Sequence, residues 1–113
     1  MESPEGLQKY KDIYDSKELV INGRSYRLTK TTHAKRLKVF SFSTALEREG
    51  VSFFNDPMFV EVEGIINNIV LYDGELISKR KEHWDDYPED YVIYITHMVV
   101  ALSYPFLKGL AGV

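Results

Sequence analysis

The chain has 113 residues, 44% of them apolar and 27% charged, with a net charge of −3 and no cysteine. That length suits one domain around one modest core, and the composition is that of a globular protein rather than a disordered or fibrous one. The missing cysteine excludes disulfides and thiolate metal sites and fits a reducing compartment. The opening MESPEGLQKYKD lacks the basic start and apolar run of a secretory signal, so the expected location is the cytoplasm, the host's if the protein is viral.

Residues 1–17 begin with a loop composition, Ser-Pro-Glu-Gly, and then place Leu7, Tyr10, Ile13 and Tyr14 at helical spacing. They form either a short docked helix or a frayed arm. The clearest local signal follows: an Asn22-Gly23 pair between Leu19-Val20-Ile21 and Arg24-Ser25-Tyr26-Arg27-Leu28 predicts a hairpin over 19–28 closed by a type I′ turn. That register sets Ile21 opposite Arg24, Leu19 opposite Tyr26 and Glu18 opposite Arg27. Leu19, Ile21, Tyr26 and Leu28 then share one face, which must lie on other elements because an isolated hairpin is marginal. Thr31 and Thr32 are capping residues for a helix from about His33 to Arg48, with Leu37, Val39, Phe40, Phe42 and Leu46 as its apolar stripe and Gly50 as its stop.

Asn55-Asp56-Pro57 reads as a second helix start, a capping acid followed by a proline at the first helical position. Phe59, Val62, Ile65, Ile66, Ile69 and Val70 carry the stripe of that helix to a stop at Asp73-Gly74. After a polar connection through Ser78–His83, Pro88 opens the central helix under an acidic entrance of Asp85, Asp86, Glu89 and Asp90. Tyr91, Ile95, Met98, Val99 and Leu102 recur at helical spacing, and Pro105 should end or kink the helix near Ser103 or Tyr104, too short to span a membrane. The expected fold is a single small domain, mainly α with some β. An arm or short helix (1–17) precedes one mostly helical unit (18–113), in which the hairpin is followed by about three main helices.

Few residues suggest chemistry. His33, His83 and His97 have no ligand spacing, adjacent acids suit a helix N-terminus better than opposed acid and base roles, and no phosphate-loop or nucleophile motif occurs. No enzyme, metal or cofactor is expected. His83 is expected to help cap and solvate the acidic entrance, and His97 to be a hydrogen-bonded buried or interface side chain. Between Leu19 and Leu46 there is no acid, only Arg24, Arg27, Lys30, Lys35, Arg36 and Lys38. The stretch reads as a solvated face of one sign, with phosphate tracking on nucleic acid as the rival reading.

The hairpin INGRSYRL, the helix introduced by LTKTTHAKRL, the closing Tyr72-Asp73-Gly74, the segment HWDDYPEDY and the apolar run to Tyr104-Pro105-Phe106 resemble the small tail assembly chaperones of tailed bacteriophages, over about Glu18 to Phe106. The resemblance implies a non-enzymatic protein that keeps the long, apolar, helical tape-measure protein soluble until the tail tube grows around it. An apolar groove for such a client could draw on Phe53, Phe54, Tyr91, Tyr94, Met98, Tyr104 and Phe106, although the same residues suit the domain's own core. The competing class is a structural virion subunit, of the neck, tail or baseplate, forming a closed homo-oligomer.

Overall fold

In the computed structural model, which describes residues 4–110 and only the backbone at 4–7, 44–47 and 49–51, Asn22 and Gly23 take φ of 51° and 80°. They close a hairpin between β1 (Glu18–Ile21) and β2 (Arg24–Leu28) in the register that the alternation predicts, Ile21 opposite Arg24 and Leu19 opposite Tyr26. Leu19, Ile21, Tyr26 and Leu28 are all buried on one face. Ahead of the hairpin the chain is a docked helix, α1 (Pro4–Ser16), with Ile13 buried and Tyr10 half-buried against the core. The side chain of Leu7 lies outside the described residues. Lys17, at φ 61°, ends α1 in the left-handed conformation common at helix C-termini.

The next helix, α2 (His33–Glu49), is capped by Thr32, whose hydroxyl accepts the Lys35 amide at 3.2 Å. Val39 and Phe42 are buried, Phe40 is half-buried and Leu37 is exposed; the Leu46 side chain lies outside the described residues. A 3-10 turn over Gly50–Asn55 folds Phe53 inward. Asp56 accepts the Met58 amide at 2.8 Å in the turn that holds Pro57, but it does not cap the helix as expected: α3 (Phe59–Asn67) starts two residues after Pro57, with Met58 at its N-cap and no side-chain cap.

Two expectations are corrected here. The apolar stripe from Phe59 is not one helix stopped at Asp73-Gly74. It breaks after Asn67 and continues as β3 (Val70–Tyr72) and β4 (Glu75–Leu76), with Asp73 and Gly74, at φ 53° and 79°, forming a second hairpin turn. The open edge of β2 supplies the reason: Val70 pairs with Leu28 and Tyr72 with Tyr26, completing a four-stranded antiparallel sheet in the order β1-β2-β3-β4. Tertiary pairing overrides a helical period that runs on by chance through Ile69 and Val70.

The second correction concerns Pro105. After the short α4 (His83–Asp86) and a 3-10 turn at Pro88–Asp90, the central helix α5 runs from Tyr91 to Leu110 with Pro105 inside it. Pro105 therefore does not end the helix: burial of Tyr94, Ile95, Met98, Val99, Ala101 and Leu102 carries it on although the Ala101 carbonyl loses its amide donor. Pro88–Leu110 is therefore long and apolar enough to cross a membrane by length and composition alone, against the sequence expectation. A buried core helix meets the same criterion, and α5 packs against α1, α2, α3 and β1. The fold is thus mainly α with an antiparallel sheet, in one domain.

Candidate functional site

Asp90 lies in the turn that feeds α5 and is completely buried. Its carboxylate is saturated by groups from the hairpin. Asn22 Nδ2 donates to Oδ1 at 2.8 Å, Tyr26 Oη–H donates to Oδ2 at 2.7 Å, and Arg24 grips both oxygens, Nε to Oδ2 at 2.7 Å and Nη2 to Oδ1 at 3.0 Å. Charge-assisted and bidentate bonds of this kind are the strong ones. With Arg24 foremost, they hold the Asp90 carboxyl down to about 2. Arg24 also reaches Glu89 at 2.5 Å and lies 4.1 Å over the Tyr87 ring, so its own pKa is raised, chiefly by the Asp90 hydrogen bonds.

His83 completes the cluster from α4. Tyr26 has spent its proton on Asp90, so its oxygen must accept from His83 Nε2–H at 2.9 Å. The other ring nitrogen, Nδ1, faces Arg80 Nε–H at 3.3 Å and can only accept. Both contacts specify a neutral imidazole, and burial together with Arg80 lowers its pKa accordingly. This corrects the view of His83 as a solvated capping residue: it is 2% exposed and ringed by Tyr26, Tyr72, Trp84 and Tyr87. Burial and Asp90 likewise raise the Tyr26 pKa. The bonds of the cluster join the hairpin residues Asn22, Arg24 and Tyr26 to Asp90 and His83, so the arrangement acts as a clamp from hairpin to helix.

The proposed partner residues divide sharply. Phe53, Tyr94, Met98 and Tyr104 are buried core residues, so the aromatic set does not line one open groove. The correction has a simple cause: in a domain this small the largest apolar side chains are needed inside. Phe54, Tyr91 and Phe106 remain partly exposed. Phe54 stacks on Tyr91 at 6.0 Å between ring centres, and Trp84 meets Tyr91 edge-on at 5.1 Å. Glu63 accepts the Tyr91 hydroxyl and orients that ring. Directly after Tyr91, Val92 and Ile93 are 49% and 40% exposed, which their apolar periodicity did not reveal. At the far end of α5, Phe106 packs on Phe40 at 5.0 Å and on His33 at 5.7 Å.

The basic stretch is also divided. Arg24 is neutralised in the clamp and Lys38 pairs with Glu61 at 2.8 Å, whereas Arg27, Lys30 and Lys35 are exposed and Arg36 is half-buried. His97 is half-buried beside Tyr10 and Thr96. Among the described residues no group of three or more histidines and acids stands close enough to hold a metal ion. Comparison with family models, with curated proteins and with solved structures finds no match.

Proposed function

We propose that the protein is a non-enzymatic tail assembly chaperone that acts in the cytoplasm on the apolar, helical tape-measure protein during tail morphogenesis. The sequence resemblance at the hairpin and the HWDDYPEDY segment motivates the reading. The observation that carries it is the start of α5, where Tyr91, Val92 and Ile93 are all at least partly exposed and Phe54 stacks on Tyr91. Exposed apolar side chains of this kind, at the start of a helix otherwise spent on the core, suit the apolar face of an incoming helix.

The test is co-expression of the full chain with the tape-measure protein. The client should stay soluble and co-purify with the wild type, and a Tyr91→Glu/Val92→Glu variant that melts normally should lose it. Undiminished capture by that variant, or recovery of the protein as a ring-forming component of finished particles, would overturn the reading in favour of a structural subunit.

A further inference from the structure

Where α1 gives way to β1 and β2 to α2, the surface holds a recess of about 290 Å³ whose floor includes Leu28 and Leu102. Three bases line it, Lys17, Lys30 and Arg36, and no acid among the described residues does. Four other bases, Lys11, Arg24, Lys38 and Arg80, each pair with a carboxylate. Among the described residues, Lys17, Lys30 and Arg36 make no ion pair.

Two of the three are nevertheless held in place, by backbone carbonyls. Lys17 Nζ donates to the Tyr14 carbonyl at 2.6 Å and lies 4.1 Å over the Tyr14 ring, and Arg36 Nη1 donates to the Thr31 carbonyl at 3.1 Å. An ammonium has three donors and a guanidinium five, so most of their N–H groups are still uncommitted. Like charges around one recess repel one another, a cost that a bound anion would remove. Thr31, which also lines the recess, has a hydroxyl shut off from water with no hydrogen-bond partner.

We infer that this recess binds an oxyanion, a carboxylate or phosphate monoester, carried on a short apolar stem that rests on Leu28 and Leu102. The site is independent of the client reading: Leu102 lies roughly 16 Å along α5 from Tyr91. Lys17 and Arg36 are the pre-positioned donors, and Lys30, more exposed, closes over the bound head group.

The experiment is an amide NMR titration of the full chain with inorganic phosphate, phenyl phosphate and hexanoate in turn. Saturable shifts are expected at Lys17, Lys30, Thr31 and Arg36. At least one of the two stemmed anions should bind about tenfold tighter than inorganic phosphate, through apolar burial of its stem. Whether phenyl phosphate or hexanoate is the tighter of the two identifies the head group. Arg36→Gln should weaken binding about tenfold, as expected for loss of a charge-assisted contact. Lys30→Gln is the second variant should Arg36→Gln unfold, and Lys35→Gln, outside the recess, should leave affinity unchanged. Shifts that never saturate, that spread equally over Arg27, Lys35 and Lys38, or that persist unaltered in both recess variants would overturn the assignment.

Discussion

A single carboxylate, Asp90, takes four hydrogen bonds from three hairpin side chains, and its removal would leave Arg24 and Tyr26 without their buried acceptor. Asp90→Ala should therefore cost about 3–5 kcal/mol in urea unfolding, the range for breaking a buried pair from one side. Combined with Tyr26→Phe, the losses should be well short of additive, because both substitutions dismantle the same network. The clamp also predicts how stability depends on pH. His83 has a folded pKa below its ordinary 6.5, so the unfolded chain takes up the proton first and stability falls as pH drops below 6.5. Asp90, held down to about 2, contributes fully above its ordinary 3.8 and loses that contribution as pH falls towards 2. Melting temperatures should thus decline in two stages, and His83→Gln should flatten the first, leaving the share due to His97, whose pKa burial also lowers. None of this was legible in the sequence. His83 and Asp90 stand 57 and 64 positions from Tyr26, and neighbouring acids made both look like parts of a solvated helix entrance.

Among the elements, the hairpin at Asn22-Gly23 was readable because turn chemistry and strand alternation are local and agree. Asp73-Gly74 carries the same turn signal, yet the stripe from Phe59 to Val70 hid it, since a strand of three residues offers too short a pattern to oppose a helical one. What distinguishes them is the partner strand, which no local window contains. Both turns depend on glycine at φ near 80°, and a Cβ at either position would meet nothing within 4 Å. Gly23→Ala and Gly74→Ala should therefore each cost about 1–2 kcal/mol through backbone conformation alone. Asparagine at the same positions should cost less, because it tolerates positive φ; chemical denaturation of the four variants would check the ranking.

For the molecule as a whole, α5 packs against α1, α2, α3 and β1, so its two sides should respond oppositely to charge. Ile95 is fully buried and Val92 is 49% exposed. Ile95→Asp should cost several kcal/mol and melt helix and sheet together in circular dichroism, whereas Val92→Asp should stay within about 0.5 kcal/mol of wild type. The central role of this helix was legible from its apolar density, and so was the fold class. Which of its aromatics face outward was not, because Tyr91 and Tyr94 differ only in what packs beside them. The clamp has one further consequence, an optical one. The protein's sole tryptophan, Trp84, is 4.5 Å from the His83 ring edge-on, with Tyr26, Tyr91 and Tyr94 within 4.7–6.2 Å. Its emission is therefore a built-in gauge of the joint between hairpin and helix: fed by the tyrosines while the joint is closed, dimmed when the imidazole takes a proton, and red-shifted once the two part.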